Sequence, residues 1–583
     1  MSVLQLRQRA AQGEPAGWSD AVHPVLQRIY AARGVLQPAQ VEHRLQRLLP
    51  PQALGGMDAA VDLLVEAIRG HWSIMIAGDY DCDGATGTAV AVRGLRMLGA
   101  SRVDYVIPNR FVHGYGLSES LVASLPTAPQ LIITVDNGVA SVAGVAAARA
   151  RGCRVIVTDH HLPGEQLPAA DAMVNPNLAG DGFPSKALAG VGVMFYLLLA
   201  TRARLYPSDL PERGNREVTD GRPAQKNRPD LSSLLDLVAL GTVADLVPLD
   251  FNNRVLVDAG LKRIRNGRAC VGITALVEAG KRSLATLGAS DLGYAIGPRL
   301  NAAGRLEDMR IGVECLLTDD AAQARHYAEL LSTINQERRD LQAAMVAEAE
   351  VMVGQALHTD AVGVALFEPS WHAGVVGLVA SKLKERLHRP VIAFAPAGED
   401  QPDDLRGSAR SIAGFHVRDA LALIDARHPG LIERFGGHAM AAGLSLKAGD
   451  YPRFATAFDA VARELIDPDH LQAVLYTDGE LPPGAASLDL ARQLRHAGPW
   501  GQAFPEPLFD NLFECASWKV MGGSHLRLQL RDPRDGVLHD AVMFNAYHGQ
   551  PPPPRLRAAY ELGINDWQGR ETPRLLLRHI EPA

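Results

Sequence analysis

Several short polar segments of the chain carry carboxylates and imidazoles that could bind divalent cations. These residues are Asp79, Asp81 and Asp83 in GDYDCDG, Asp136 in VDNG, Asp159, His160 and His161 in TDHH, and Asp245 in GTVADLVPL. Two carboxylates ~4 Å apart repel each other by roughly 4 kcal/mol at an effective dielectric constant of 20. A convergent set would therefore unfold the sheet edge or stay protonated unless divalent cations neutralise it. Oxygen ligands with one or two imidazoles suit Mn²⁺ or Mg²⁺ better than a structural zinc. Two such ions would form the arrangement used for in-line phosphoryl displacement.

The elements that must position these residues are short strands that alternate with helices. Strand-like runs occur at Ser73–Ala77, Val103–Ile107, Leu131–Val135 and Arg154–Thr158. Their ends are roughly 20–30 residues apart, which is the length of a βαβ unit and predicts a mostly parallel, doubly wound α/β sheet. The polar segments follow the first, third and fourth runs, so we expect them to meet at one sheet edge. A single D-x-D turn could equally cap a helix, but acids after successive strands favour a metal site.

The length of 583 residues predicts about three or four domains. We expect a catalytic α/β domain with an N-terminal helical extension, a long connecting helix with Thr318 as its N-cap, a second smaller α/β domain and a C-terminal OB-like β-barrel. The predicted boundaries are 1–318, 319–356, 357–467 and 468–583. Residues Tyr206–Asp230 are rich in proline, glycine and charge and predict a surface insertion.

Composition restricts the class of protein. The net charge of −7 argues against a general coat for polyanions, so a nucleic-acid ligand would need local basic patches. The five cysteines are scattered and form no C-x-x-C pair, which argues against a zinc ribbon and favours a reducing cytosol. The N-terminus lacks an apolar signal region, and the longest apolar run, 187–200, is too short to cross a bilayer. We therefore expect a cytoplasmic protein without membrane contact.

The ordered motifs resemble those of the DHH phosphoesterase superfamily and, within it, of the RecJ exonucleases. GDYDCDG, VDNG, TDHH and GTVADLVPL match the four N-terminal motifs in order, and the resemblance continues through IPNRFVHGYGL, GPRLNAAGR, SWHAGVVGLVA, GSARS and FGGHAMAAG. It implies 5′→3′ hydrolysis of single-stranded DNA to mononucleotides with two divalent ions, Mn²⁺ or Mg²⁺. It also implies work in DNA recombination and repair beside a helicase and a single-strand DNA-binding protein.

The resemblance further implies roles for individual residues. One ion would be held by Asp81 and Asp136, and the other by Asp83, Asp136, His160 and Asp245. Asp79 stands where several relatives carry a ligand histidine, so it would bind metal directly or through water. The expected catalytic residues are His161 at the scissile phosphate or its leaving oxygen, Asp159 orienting the histidines, and Arg299.

Other polar residues are expected to hold the strand. They are Arg110, Tyr115, Asn301 and Arg305 in the first domain, and Ser370, His372, Ser408, Arg410, Gly436, Gly437 and His438 in the second. Arginine matches phosphate with two parallel hydrogen bonds, and paired glycines admit an anion to backbone N–H groups; an intramolecular salt bridge is the alternative for a lone arginine. In the barrel, Phe513, Trp518, Tyr547 and Arg527 could stack on bases, although core packing explains each ring equally well.

Two other functions are compatible with parts of this pattern. A small-substrate DHH phosphoesterase, such as an oligoribonuclease or a cyclic dinucleotide phosphodiesterase, usually ends after the second domain, so the residues beyond Asp467 argue against it. An inactive replisome scaffold would have lost its acidic ligands, and all of them are present here.

Overall fold

The computed structural model describes residues 4–110, 112–207, 228–356, 361–398 and 401–583. The chain divides into two compact units, each made of two segments. The large unit contains Arg9–Asn335 and Asp478–Ala583, and the small unit contains Met1–Gln8 and Gln336–Thr477. Most of the predicted insertion, residues 208–227, lies outside the described residues.

Helices and strands alternate in the N-terminal part of the chain, and an all-helical stretch follows. Up to the long helix they are β1 (Gln5–Gln8), α1 (Pro24–Ala31), α2 (Met57–Arg69), β2 (Ile74–Ala77), α3 (Cys82–Met97), β3 (Val103–Val106), α4 (Glu119–Ser124), β4 (Leu131–Val135), α5 (Val142–Ala150), β5 (Arg154–Thr158), β6 (Ala172–Val174), α6 (Gly190–Leu205), α7 (Leu235–Ala244), α8 (Phe251–Arg265), α9 (Val271–Ala279), α10 (Ala289–Asp291), α11 (Gly297–Leu306), α12 (Arg310–Leu317) and α13 (Ala321–Ala356). A π-helical turn, Leu292–Ile296, joins α10 to α11.

The second half is richer in strands. It contains β7 (Val364–Phe367), α14 (Val376–Leu387), β8 (Val391–Pro396), β9 (Asp404–Arg410), α15 (Val417–Arg427), β10 (Arg434–Gly437), β11 (Ala441–Lys447), α16 (Tyr451–Leu465), β12 (Val474–Thr477), α17 (Leu488–His496), β13 (Phe509–Met521), β14 (His525–Arg531), β15 (Leu538–Met543), β16 (Arg555–Trp567) and β17 (Arg570–Pro582). No helix within the described ranges is long and apolar enough to cross a membrane.

The first sheet of the large unit is parallel throughout, in the order β3-β2-β4-β5-β6. Its strands alternate between two cores: in β4, Ile133 packs on the side of α3 and α6, while Ile132 packs on the side of α4 and α5. Helices therefore cover both faces, because a strand buried on both sides must present apolar residues to both. The predicted doubly wound α/β fold is confirmed, and the four predicted strands are β2 to β5.

The C-terminal strands form a closed barrel in the order β13-β14-β15-β17-β16, as predicted. The barrel and the first domain share one hydrophobic core within the large unit. At this junction the buried Trp500 stacks on Phe504 with ring centroids 5.1 Å apart, and the Tyr30 hydroxyl donates a hydrogen bond to the carbonyl of Ala497 at 2.9 Å. The barrel is thus packed onto the domain that carries the predicted metal ligands.

The small unit has a mixed five-stranded sheet in the order β10-β11-β9-β8-β7. Only the β7–β8 pairing is parallel among these described strands, and the others are antiparallel. The apolar residues of one face pack with α15 and α16, and α14 packs against β8 and β9. The predicted strands at VGVALFE and PVIAFA and the helix between them are confirmed. β1 pairs in parallel with β12, which adds a separate two-stranded sheet.

The predicted long helix is present as α13, and at 36 residues it is about 54 Å long. The predicted N-cap is wrong by two residues. Asp320, not Thr318, caps the helix, because its Oδ1 accepts hydrogen bonds from the backbone N–H groups of Ala322 and Gln323 at 2.7 and 3.1 Å. The Thr318 hydroxyl instead accepts from the N–H of Asp320 at 3.1 Å and shapes the turn before the helix.

A buried ion pair ties the N-terminal helical extension to the segment that leads into the barrel. Arg33 donates to both carboxylate oxygens of Asp478, at 2.7 and 3.0 Å, and their side chains are 1% and 0% exposed. Asp478 also accepts a hydrogen bond from the backbone N–H of Leu508 at 3.0 Å. Removal of one partner from such a pair leaves an uncompensated buried charge.

We therefore expect Asp478→Ala to destabilise the large unit by about 3–5 kcal/mol. The matched control is Arg204→Ala, which breaks an ion pair with Asp62 whose side chains are 50% and 63% exposed and should cost no more than about 1 kcal/mol. Urea unfolding followed by tryptophan fluorescence measures both variants. Equal unfolding midpoints for the two would contradict the structural role of Asp478.

Candidate metal centre and active site

Most of the acidic residues meet because they follow the carboxyl ends of parallel strands. Asp79 follows β2, Asp136 follows β4, and the segment Asp159–His161 follows β5. Asp245 is the C-cap residue that follows α7, a helix that packs against α3. The structure brings together all six predicted metal ligands, which are Asp79, Asp81, Asp83, Asp136, His160 and Asp245.

Close backbone approaches at two glycines make this convergence possible. A Cβ at Gly190, the first residue of α6, would lie 2.5 Å from the Cβ of Asp136. A Cβ at Gly84 would lie 2.6 Å from the Cα of Asp79. Asp136 itself has φ +64°, a left-handed conformation that aspartate adopts more readily than most residues. The backbone of the turn after β4 therefore adopts an uncommon conformation that places Asp136 in the cluster.

Two of the aspartates are fixed by helix N-termini. Asp83 accepts hydrogen bonds from the backbone N–H groups of Gly190 and Val191, at 2.7 and 2.9 Å, at the start of α6. Asp81 caps α3 by accepting from the N–H of Gly84 at 3.0 Å. The unpaired N–H groups and the dipole of a helix N-terminus stabilise negative charge, so these helices offset part of the repulsion.

His160 lies at the centre of the cluster. Its Nε2 is 3.0 Å from Asp136 Oδ1, 3.5 Å from Asp245 Oδ2 and 3.9 Å from Asp83 Oδ2. The potential ligand atoms form three overlapping groups, each with its atoms within 4.8 Å of one another. The groups are Asp79, Asp81 and Asp136; Asp83, His160 and Asp245; and Asp136, His160 and His161.

The buried polar atoms of this cluster fit a metal ion. Asp79 Oδ1, Asp136 Oδ1 and His160 Nε2 are buried and have no hydrogen-bond partner among the residues that the structure describes. Buried polar atoms are rarely left in that state, because the loss of hydration is costly. Five carboxylates and an imidazole that face each other supply the oxygen-rich donor set that Mn²⁺ and Mg²⁺ prefer.

The protonation of the cluster reflects the same crowding. Burial, followed by repulsion from Asp81, raises the pKa of Asp83 to about 7 and also raises that of Asp79 well above its usual value. Burial and the charge of Asp83 raise the pKa of Asp136 and of Asp245. Burial and the neighbouring His161 lower the pKa of His160 to about 4, so this imidazole is neutral and available as a ligand.

Asp159 holds the turn that carries both histidines. Its carboxylate accepts from the N–H groups of His160, His161 and Val139 at 2.7, 3.0 and 2.8 Å, and Oδ1 is 2.8 Å from His161 Nδ1. Burial alone would raise the pKa of Asp159, but the hydrogen bonds with His161 and the backbone lower it. Burial alone would lower the pKa of His161, but Asp159 raises it. In this pair each group therefore favours the charged form of the other.

A chain of rings leads from His161 to the predicted phosphate-binding residue Arg110. The Tyr115 hydroxyl is 3.4 Å from both ring nitrogens of His161 and donates to the carbonyl of Asp136 at 3.2 Å. Tyr80 packs edge-on against Tyr115, and the Arg110 guanidinium lies 4.3 Å from the Tyr80 ring centroid. Arg110 and Tyr115 are thus placed beside the cluster, as the sequence predicts.

Comparison with known proteins follows the same division of the chain. The DHH family N-terminal domain matches residues 73–242, the DHHA1 domain matches 358–464, and the RecJ OB domain matches 477–579. The single-stranded-DNA-specific exonuclease RecJ of Dickeya dadantii is 49% identical, with 100% of this chain and 99% of the relative covered. That of Escherichia coli is 46% identical, with 99% of each covered. The chain belongs to the RecJ family.

The fold agrees with solved RecJ structures. RecJ from Thermus thermophilus in complex with Mn²⁺ has a TM-score of 0.78 and 33% identity, over 97% of this chain and 76% of that one. The complex of the same protein with Mg²⁺ has a TM-score of 0.72. These are the two ions that the donor set of the present cluster fits. The chain is therefore a metal-dependent nuclease of the RecJ family with a DHH domain.

The GPRLNAAGR segment of this RecJ family member forms α11 and supports the metal loop. Asn301 Oδ1 accepts from the N–H of Cys82 at 2.8 Å, and a Cβ at Gly304 would lie 1.7 Å from the Tyr80 carbonyl. Arg299 donates to Ser332 Oγ at 3.0 Å and to the carbonyls of Ala295 and Ala279. Arg305 lies in the last turn of α11. The contacts of Asn301 thus position the aspartate loop, and those of Arg299 join α11 to α13 and α9.

In the small unit, Ser408 and Arg410 lie together on β9. Arg410 donates to Ser408 Oγ and Ser381 Oγ at 3.0 and 3.1 Å, and a Cβ at Gly377 in α14 would lie 2.9 Å from Ser408 Oγ. Gly436 pairs with Gly443, which pairs with Ser408, so these residues form one row across the sheet.

The other predicted residues of the small unit flank this region in sequence. Gly437 ends β10 with φ +139°, and the N–H of the exposed His438 donates to the carbonyl of Ala441 at 2.8 Å. His372 Nδ1 accepts from the N–H of Gly374 at 3.1 Å, in the turn that also contains Ser370. A row of small side chains beside an arginine and a helix N-terminus offers space and donors for a phosphate.

The residues of the barrel that were predicted to stack on bases differ in their exposure to solvent. Phe513 is 3% exposed and packs on Tyr560 with centroids 5.7 Å apart, so the base-stacking role considered for it is wrong and it is a core residue. Trp518 is 40% exposed, and its ring centroid lies 6.1 Å from that of Tyr547. Arg527 Nε donates to Asp540 at 2.7 Å. Trp518 and Tyr547 therefore retain exposed ring surface on which a base can stack.

Three asparagines that sequence reasoning missed also hold the site. Asn137 Nδ2 donates to the carbonyls of Ala77 and Val135 at 3.0 and 2.9 Å, across the ends of β2 and β4. Asn175 and Asn177 donate to the carbonyls of His161 and His160 at 2.9 and 2.6 Å. A signal for these last two was available, because both follow β6 at the same sheet edge.

Without metal, the cluster should make stability depend on pH. A carboxyl with a raised pKa in the folded protein favours folding only while it is protonated, so the contribution of Asp83 is full below its usual pKa of 3.8 and is lost as pH rises to about 7. We expect the melting temperature in EDTA to fall across this range, and Mn²⁺ to raise it most at the alkaline end. Asp83→Asn should flatten the profile in EDTA. Identical profiles for wild type and Asp83→Asn in thermal denaturation would contradict this account.

Proposed function

We propose that this chain hydrolyses single-stranded DNA from the 5′ end to mononucleotides with two divalent cations. The observation that carries the proposal is the set of three overlapping ligand groups linked through Asp136 and His160, in a chain whose relatives along its whole length are single-stranded-DNA-specific exonucleases. One ion would be held by Asp79, Asp81 and Asp136, and the other by Asp83, Asp136, His160 and Asp245. When bound, the ions neutralise the carboxylates, polarise the scissile phosphate and activate water.

The residues of the chain itself supply the proton and the orientation. Asp159 favours the protonated form of His161 through the 2.8 Å contact at Nδ1, and in that form His161 can hydrogen-bond a phosphate oxygen or protonate the leaving 3′-oxygen. Tyr115 positions His161 from the other side. Arg110 places a positive charge at the cluster, where it can offset the charge of the phosphate. Cleavage of the P–O3′ bond leaves a new 5′-phosphate on the shortened strand.

Other functions receive less support. The closed barrel and its match to the RecJ OB domain weigh against an oligoribonuclease or a cyclic dinucleotide phosphodiesterase. The complete ligand set weighs against an inactive scaffold.

The biological setting is also part of the proposal. We infer that the chain acts in DNA recombination and repair, and that a helicase and a single-strand DNA-binding protein supply its single strands. Its five cysteines, all within described residues, are unpaired, which supports a reducing compartment such as the cytoplasm.

Digestion of 5′- and 3′-labelled single strands with Mn²⁺ or Mg²⁺ tests the reaction and its direction. We expect a 5′ label to be released first as mononucleotide, and excess EDTA to abolish release. Asp136→Ala should lower turnover by several orders of magnitude while circular dichroism stays unchanged, because Asp136 belongs to two ligand groups. Full activity in EDTA, or first release from the 3′ end, would contradict the proposal.

The 5′ terminus should be read by the small unit. Arg410, beside Ser408 and the start of α14, can donate charge-assisted hydrogen bonds worth roughly 1.5–3 kcal/mol each to a terminal phosphate. We expect Arg410→Ala to weaken productive binding of 5′-phosphorylated strands by about ten- to a hundredfold and to lose the preference over 5′-hydroxyl strands.

The exposed Arg418→Ala is the matched control, because it removes an arginine from the same unit. Metal binding by Arg410→Ala, measured by calorimetry, should match wild type. A preserved phosphate preference in Arg410→Ala would place recognition of the terminus elsewhere.

A further inference from the structure

Two large apolar side chains are exposed beside the metal centre. Leu246 directly follows the ligand Asp245 and is 64% exposed, and Tyr294 is 78% exposed. Both line one pocket of about 280 Å³, together with Val243, Trp500 and Gly501. Single exposed apolar residues are ordinary, but two that share a pocket next to a ligand indicate a binding surface.

The backbone at both residues is unusual. Leu246 has φ +61°, a left-handed conformation that a bulky residue rarely adopts and that commonly marks functional sites. Tyr294 lies in the π-helical turn Leu292–Ile296, and such turns frequently occur at functional sites. This turn packs on α7, where a Cβ at Gly293 would meet Val243 Cγ1 at 3.3 Å. Both side chains thus project from uncommon backbone conformations.

The floor of the pocket is preformed. Trp500 is 7% exposed, stacks on Phe504, and donates from its indole N–H to the carbonyl of Leu494 at 2.9 Å. The N–H of Leu249 donates to the carbonyl of Gln502 at 2.8 Å and ties the chain after α7 to the pocket wall. A fixed aromatic floor with an apolar rim needs little reorganisation to accept a flat ring.

The residues that line the pocket indicate which kind of ligand fits it. Among the described lining residues, Glu506 alone is charged, and it accepts a hydrogen bond from Ser290 at 3.2 Å. The pocket therefore offers no cation for a phosphate or an acidic peptide. Its volume is below the usual range for drug-sized ligands, which suits one flat ring system better than a folded segment. A neutral nucleobase has an aromatic face and polar edges that match such a lining.

We propose that Tyr294 and Leu246 form a shelf on which one unpaired nucleobase of the substrate strand stacks next to the metal centre. This inference rests on the proposed function, since the occupant is the strand that the centre cleaves. Leu246 directly follows the ligand Asp245, so the Cα atoms of these two residues are about 3.8 Å apart. The base on the shelf would therefore belong to a nucleotide near the scissile bond. Stacking on an aromatic ring holds any base, so the shelf adds affinity without sequence preference.

The test uses the full chain and 5′-phosphorylated strands with one abasic residue at successive positions from the 5′ end. Binding is measured by fluorescence anisotropy in EDTA, and kcat and KM are measured with Mn²⁺. We expect one abasic position to weaken wild-type binding about tenfold. Tyr294→Ala should weaken binding of the natural strand to a similar extent, raise KM with kcat unchanged, and lose sensitivity to that abasic position. Tyr294→Phe, which keeps the ring, should behave as wild type.

The matched control is Tyr476→Ala, which removes a tyrosine that is 47% exposed on β12. Unchanged binding, KM and abasic profile in Tyr294→Ala would overturn the shelf and favour a protein partner for this surface. Failure of the wild type to cleave any strand would count against the proposed function instead, so the two failures are distinguishable.

Discussion

Mutual repulsion among buried carboxylates is the constraint around which the large unit is built. Asp79, Asp83, Asp136 and Asp245 belong to overlapping groups of potential ligand atoms, and burial together with neighbouring charges raises the pKa of each. An arrangement of this kind costs folding free energy unless positive charge is supplied. The fold supplies part of it through the N-termini of α3 and α6, which donate backbone N–H groups to Asp81 and Asp83. Protons relieve the remainder at low pH, and bound cations would relieve it at neutral pH.

The rest of the first domain holds this unfavourable cluster in place. Glycines at positions 84 and 190 permit approaches that any side chain would block. Asn137, Asn175 and Asn177 bridge strand ends through carbonyl groups, so the turns cannot relax away from each other. Asp159 differs from the acids of this cluster because its pKa is lowered. Its carboxylate accepts hydrogen bonds from the backbone and contacts His161 instead of facing the predicted metal site. Neighbouring carboxylates thus differ in role because their hydrogen-bond partners differ.

The barrel shares its core with the metal-binding domain although hundreds of residues separate them in the chain. Arg33 and Asp478 form a buried ion pair at this junction, and Tyr30, Trp500 and Phe504 pack beside it. Trp500 therefore serves two surfaces, since it belongs to the shared core and also forms the floor of the pocket below Tyr294. A barrel fixed in this way keeps a constant geometry relative to the predicted metal ligands of its own unit.

The sequence by itself determined the parallel sheet and the metal cluster. Alternating strands and helices allow few connections, and the ends of parallel strands must share an edge, so GDYDCDG, VDNG and TDHH had to converge. The long helix was also predictable, but its N-cap is Asp320 and not the predicted Thr318. Both residues are polar, and only the local hydrogen bonds of the folded chain distinguish them. Phe513 shows the limit for aromatic residues: the pattern does not say which face of a strand turns inward, and barrel closure buried it.

Only the tertiary structure decided which distant groups meet. No spacing in the sequence places Asn301 on the N–H of Cys82, or the N-terminus of α6 on Asp83, since such contacts depend on how helices pack across hundreds of residues. The same is true of the barrel, whose segment follows the small unit in sequence but packs in the large one. Local patterns encode elements and the order of strand ends, whereas long-range packing selects the partners of each side chain.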